Sequence, residues 1–174
     1  MRFETQRLVI RSFEPGDAAA ILEILSDPEV RKYLPSNTAP TFERMQAGIE
    51  RRMAMERDHG HALWAVERKD SGELIGQCGL VLVDGTGPEV EIAYHYGRSA
   101  WNQGFGTEAA IACLARGFGH LDLERIVAFA LPPNVGSWRI MEKAGMRYES
   151  TVDLYGLTGL KKYAAERANW TAPV

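Results

Sequence analysis

The chain reads as an α/β protein in which helices cover both faces of a mixed sheet. Three observations carry that expectation: a three-strand meander over residues 61–96, a single strand–helix–strand crossover into residues 124–131, and the absence of repeated crossover units that an all-parallel sheet would need.

The elements follow in order. Arg7–Phe13 (RLVIRSF) is a short β-branched, alternating run and is expected to be a strand. Pro15-Gly16-Asp17 opens a helix with Asp17 as its expected cap, and Ile21, Leu22, Ile24 and Leu25 form an apolar side. Asp27-Pro28 is a cap and first-position pair for a short helix towards Tyr33. Residues 34–40 (LPSNTAP) form a loop. Thr41 then caps a helix to about Arg57, with Phe42, Met45, Ile49 and Met53 roughly on one face.

Residues 61–68, 73–83 and 89–96 alternate as strands, joined by turns at Lys69–Gly72 and Val83–Pro88. Ile111, Leu114, Ala115, Phe118 and Leu121 recur at helical spacing, residues 124–131 read as a strand, and Pro132-Pro133-Asn134 breaks it and caps a helix ended by Gly145. Residues 146–154 and 157–167 are expected to close as a hairpin about Gly156. No internal repeat and no linker composition divides the chain, so residues 1–174 are expected to be one domain.

Composition narrows the function. The chain has 174 residues, 45% hydrophobic and 25% charged, with a formal net charge of −3. That charge lends no support to nucleic-acid binding. Cys78 and Cys113 match no metal or redox spacing. No apolar run approaches the ~20 residues that span a bilayer, and the start MRFETQRLVIRSF lacks the form of a signal peptide. A cytoplasmic protein without a membrane segment is expected.

The stretch Trp101–Ala109 (WNQGFGTEA) carries the chemistry. Glycines that open a helix let the backbone approach a ligand, and the unpaired N–H groups there attract anions. A dinucleotide site would put the glycines directly after a strand within repeated crossover units, whereas about seven residues intervene here. A phosphate loop of the Lys-Ser/Thr kind is excluded because no such pair follows the glycines.

TQRLVIRSF, EIAYHY, WNQGFGTEAA and PPNVGSWRIMEKAGM, in that order, resemble the Gcn5-related N-acetyltransferase (GNAT) superfamily, and within it the branch of the ribosomal-protein N-terminal (RimJ/RimL-like) acetyltransferases. The resemblance implies a twisted, mostly antiparallel sheet of six or seven strands with about four helices, and a pair of strands, 91–96 and 124–131, that splay apart. It implies acetyl-CoA as cosubstrate, no metal, an amine acceptor that is a peptide N-terminus or a small molecule, and compatibility with a homodimer. Its alternative is an acyl-CoA-binding sensor or scaffold without catalysis.

By the same resemblance, the family's pyrophosphate loop falls on Trp101 to Gly106, where Trp101 replaces the usual Gln or Arg. Cofactor contacts are expected at Gln103, Gly104, Phe105, Gly106 and Thr107, at Tyr94, His95 and Tyr96 along the splayed strand, and at Asn134 and Ser137. Acyl transfer to an amine needs a base, a stabilised oxyanion and a proton for the leaving thiolate. Glu91 is the expected base, with Glu89 as its neighbouring substitute. Met141 stands where many members carry a tyrosine acid, so the acid role is assigned to Ser137 or a water that it holds. Tyr33, Phe42 and Met45 are expected to face the acceptor. His59 and His61 have no third ligand in reach and are read as loop residues.

Overall fold

A computed structural model describes residues 1–36 and 38–173; Asn37, in the expected loop 34–40, and Val174, the last residue of the expected domain, lie outside the described residues. Among the described residues, eight strands form one sheet: β1 (Arg2–Glu4), β2 (Leu8–Arg11), β3 (Leu63–Arg68), β4 (Leu74–Leu82), β5 (Val90–Tyr96), β6 (Arg125–Ala130), β7 (Arg147–Leu154) and β8 (Leu157–Glu166). Their spatial order is β1-β2-β3-β4-β5-β6-β8-β7. All neighbours are antiparallel except β5 and β6. The helices are α1 (Ala18–Ser26), α2 (Pro28–Arg31), α3 (Phe42–His59), α4 (Phe105–Gly119) and α5 (Val135–Lys143).

The sheet separates two cores. On one face α4 buries Ala109, Ala110, Cys113, Leu114 and Phe118 against Trp64, Cys78, Leu80 and Ile92. Steps of one, three and four residues give the helix a broad apolar side, as a helix lying across a sheet requires. On the other face α1 and α3 bury Ile21, Leu25, Met45 and Ile49 with Phe13 and Ala65. Strand β2 is buried on both faces, Leu8 and Ile10 in the core beneath α4 and Val9 at 6% exposure between them, so the three form an unbroken apolar run instead of an alternating one.

Two expectations change. Strand β1 adds an eighth strand where the sequence suggested seven; it pairs with β2 over only three residues, too few for alternation to show. Asp17 does not cap α1. Its carboxylate accepts both terminal nitrogens of Arg11 at 2.8 Å and the Glu14 N–H at 2.8 Å. Arg11 also reaches Glu67 from Nε at 2.8 Å. Burial alone would raise the Asp17 carboxyl, but the Arg11 bonds prevail and hold it below its ordinary value. The start of α1 is thus tied to β2 and β3. Thr41 does cap α3, accepting the Arg44 N–H at 3.3 Å, and Asp27 caps α2 through the Glu29 N–H at 2.9 Å.

Two local features position the site. Strands β5 and β6 run parallel but pair only at Glu91 and Val127, so they part beyond that point. The β7–β8 hairpin turns in two residues, Tyr155 (φ 58°) and Gly156 (φ 73°), between paired Leu154 and Leu157. Two consecutive left-handed residues make a type I′ turn.

Candidate active site

A cleft of about 960 Å³ follows the parting of β5 and β6. That lies at the upper end of cofactor-sized sites, about 300–1,000 Å³. Strand β5 contributes residues 91–96, and β6 with the loop after it contributes Phe129, Ala130 and Leu131; Asn134, Ser137, Ile140 and Met141 come from the start and inner side of α5. Backbone groups that would pair in a continuous sheet face this gap beyond the single Glu91–Val127 rung.

At the open end stands the start of α4. Gly104 has φ 81°, a left-handed conformation that favours glycine, and provides no side-chain cap. The first-turn N–H groups of α4 therefore lack an acceptor within the helix. Gly106 has a different reason to be glycine: a Cβ there would lie 2.7 Å from Ile140 Cδ1 and 3.3 Å from a Tyr96 ring carbon. It lets α4, β5 and α5 meet. The same turn of α5 brings Arg139 and Lys143 to the cleft wall, an arrangement of positive charge that the sequence reading did not single out.

The loop is braced from β2's side. Arg7 donates from Nη1 to the Gln103 carbonyl at 2.9 Å and from Nε to Glu108 at 2.6 Å, and Thr5 also donates to Glu108. The Arg7 guanidinium lies 4.5 Å above the Phe105 ring. Of the five loop residues expected at the cofactor, Gly104, Gly106 and Thr107 line the cleft. The Phe105 side chain turns into the core at 5% exposure, so only its backbone can face a ligand. Gln103 turns its amide to the Ser99 carbonyl instead. Trp101 lines the cleft and donates to the Tyr96 carbonyl at 2.8 Å.

At the closed end Glu91 is the ionisable group that stands out. Burial pushes its carboxyl up to about 7, although a hydrogen bond from Tyr155 at 2.8 Å pulls the other way. Glu89, the substitute, is committed elsewhere: Lys162 donates to both its oxygens at 3.0 and 2.9 Å and holds it below its ordinary value. Glu91 is therefore the one of the pair suited to exchange a proton near neutrality.

Between the two ends, Tyr94 and Ser137 touch. The Tyr94 hydroxyl donates to the Ser137 carbonyl at 2.9 Å, and the Ser137 hydroxyl donates to the Tyr94 oxygen at 3.3 Å. Burial pushes the Tyr94 phenol up, so it stays protonated. Asn134 caps α5 through the Ser137 N–H at 3.4 Å. Met141 is buried at 2%. His95 bonds through Nδ1 to Gln77 Nε2 at 2.8 Å, and burial first, then the Arg52 charge, pulls it down to about 4. The ring is neutral, with its proton on Nε2 when Gln77 donates.

The acceptor expectations divide. Tyr33 lines the cleft, joined by Val30, Leu34, Met55 and Leu63. Met45 does not: it faces α1 in the second core at 6% exposure. Phe42, in the first turn of α3, is 48% exposed and away from the cleft wall. A helical wheel put both on the right stripe but could not say which way that stripe faced. His61 is buried and bonds the Leu80 carbonyl at 3.0 Å; no group of three metal-binding side chains occurs among the described residues. No helix among them is long and apolar enough to cross a membrane.

The sequence matches the acetyltransferase (GNAT) domain model over residues 7–147, and the chain belongs to that family. It is 33% identical over 153 residues to the uncharacterized N-acetyltransferase p20 of Bacillus licheniformis, covering 87% of this chain and 85% of that protein. The crystal structure of a GNAT-family acetyltransferase from Bacillus anthracis superposes with a TM-score of 0.82 at 30% identity, covering 97% of this chain and 100% of the other. The ribosomal L7/L12 alpha-N-protein acetyltransferase RimL, solved in complex with coenzyme A, shares the fold with a TM-score of 0.82 at 14% identity, over 95% of this chain and 98% of that one.

Proposed function

We propose that this protein is an acetyl-CoA-dependent N-acetyltransferase that moves the acetyl group directly to a primary amine on a peptide N-terminus or small molecule. The observation that carries this is one continuous cleft with unpaired helix N–H groups at its open end and a carboxyl poised near neutrality at its closed end.

The residues present fit the cosubstrate. First-turn amides of α4, with Gly104 holding the turn open and Arg139 and Lys143 nearby, suit a diphosphate. The unpaired edge of β5 beyond Glu91 suits an extended amide-bearing arm. When bound, acetyl-CoA supplies an activated acetyl thioester. Glu91 takes a proton from the incoming ammonium, whose ordinary value is about 10; a carboxylate near 7 is a far better acceptor than one at 4.5. A backbone N–H of β5 serves the developing oxyanion. The Ser137 hydroxyl, held by Tyr94 in the resting site, gives its proton to the leaving thiolate and takes one back from the nitrogen of the attacking amine as the amide forms. Cys78 and Cys113 are fully buried in the main core, which supports direct transfer over an acyl-enzyme.

The test is thiol release from acetyl-CoA across a panel of amines and peptide N-termini, read with mass spectrometry of the acceptors, beside calorimetry with coenzyme A. Binding with amine-dependent release supports catalysis. Binding without release from any amine supports a sensor. No binding of coenzyme A refutes both.

A further inference from the structure

Tyr155 sits at the tip of the β7–β8 hairpin, 64 residues from Glu91 in sequence, yet its hydroxyl donates to Glu91 Oε2 at 2.8 Å. The Tyr155 hydroxyl oxygen in turn accepts the Asp84 N–H at 3.1 Å from the turn after β4. Its ring meets Phe129 of β6 edge-on, with centroids 6.3 Å apart and planes at 89°. One side chain thus joins the hairpin, β4's turn, β5 and β6 at the point where the two strands begin to part. The backbone beneath it is unusual. Tyr155 occupies the first central position of a type I′ turn at φ 58°, where Asn or Gly is preferred and a bulky residue is strained. Such strain is kept where the surroundings need that side chain.

We propose that Tyr155 is a positioning residue for acetyl transfer: its hydroxyl fixes one oxygen of Glu91 and leaves the other free for the acceptor amine, while its ring closes the inner end of the cleft against Phe129. This rests on Glu91 acting as the base. The bond to Asp84 N–H leaves the phenol hydrogen for Glu91, and burial together with the Glu91 charge keeps that hydrogen in place. Other charged groups nearby are engaged elsewhere. Lys162 of β8, over the Phe129 ring, binds Glu89 and Glu149; Arg125 of β6 binds Glu89, Glu149 and Glu166; His95, on β5 itself, is neutral. Asp84 brings its main-chain N–H to the phenol, and its carboxylate charge adds to that of Glu91 in keeping the phenol protonated. The Tyr155 hydroxyl is therefore the polar partner whose removal should be felt directly by the Glu91 carboxyl.

The experiment compares wild type, Tyr155→Phe and Tyr155→Asn. The Glu91 carboxyl is titrated by carbon-13 NMR on the resting protein, with Glu91→Gln identifying its signal, and kcat/KM for acetyl-CoA is followed against pH with an amine found active in the panel. Losing a hydrogen bond to the charged form should raise the Glu91 midpoint by about one pH unit. The acid limb of kcat/KM should rise by the same amount in both variants, with KM for acetyl-CoA changed less than twofold. An unmoved midpoint in Tyr155→Phe overturns the pairing, even if Tyr155→Asn shifts, because the ring and not the hydroxyl would then be at work. A midpoint that moves while the acid limb stays fixed overturns the positioning role. Full activity in Glu91→Gln would remove Glu91 as the base, whereas the titration would still judge its contact with Tyr155.

Discussion

Replacing Glu91 by Gln should slow catalysis and, above neutral pH, stabilise the fold. The structure gives the size of the second effect. Burial lifts the Glu91 carboxyl from its ordinary 4.5 to about 7. The folded chain holds that proton more tightly than the unfolded chain. The stabilisation is therefore complete below about pH 4.5 and is lost as pH rises through 7. That rise corresponds to about 3 kcal/mol over the whole window. Between pH 5 and pH 8 the variant should gain about 2 to 3 kcal/mol relative to wild type. Gln matches Glu in shape and can still accept the Tyr155 hydroxyl, so packing changes little. Urea unfolding of both proteins across pH 5–8 measures the gain. The rate of acetyl transfer should fall by about 10²- to 10⁴-fold. Stability curves that run parallel over this pH range would refute the assigned burial of an ionisable carboxyl.

Three more predictions concern the glycine loop, its Arg7 brace and Ser137. Gly104→Asp adds a Cβ at φ 81° and a negative charge beside the helix start, so coenzyme A binding should vanish in calorimetry while circular dichroism stays native. Arg7→Ala removes the bonds to the Gln103 carbonyl and Glu108. Because the Arg7 side chain is 44% exposed, the stability loss should be modest, about 1 kcal/mol by melting, while affinity for coenzyme A drops about tenfold as the loop loosens. Ser137→Ala removes the hydroxyl that contacts Tyr94; kcat in the thiol-release assay should fall about tenfold or more with KM for acetyl-CoA unchanged.

The sheet and the glycine-started helix were legible because they rest on local signals: alternation in residues 89–96, glycines ahead of an apolar periodicity, and Pro132-Pro133 ending β6; the parting of β5 from β6 was expected only from the family resemblance. What stayed hidden depends on distant partners. Asp17 carries a cap's chemistry, but Arg11, which Asp17 shares with Glu67, claimed its carboxylate. Met45 and Phe42 share a helical stripe, yet the direction of that stripe is set by α1 packing. Tyr155 gave little warning, since the turn next to Gly156 favours residues other than tyrosine and its partner lies on β5. A bulky residue before glycine in a two-residue hairpin was the faint clue available.

The division of the interior by the sheet has an evolutionary corollary. Main-core residues beneath α4 support the loop expected to hold the carrier, whereas the α1–α3 side supports the wall near Tyr33. Substitutions in well-separated groups without shared partners tend to combine additively. On the proposed placement of donor and acceptor, descendants of such a chain can therefore change which amines they accept by altering one layer, generation after generation, without relearning how to grip the donor.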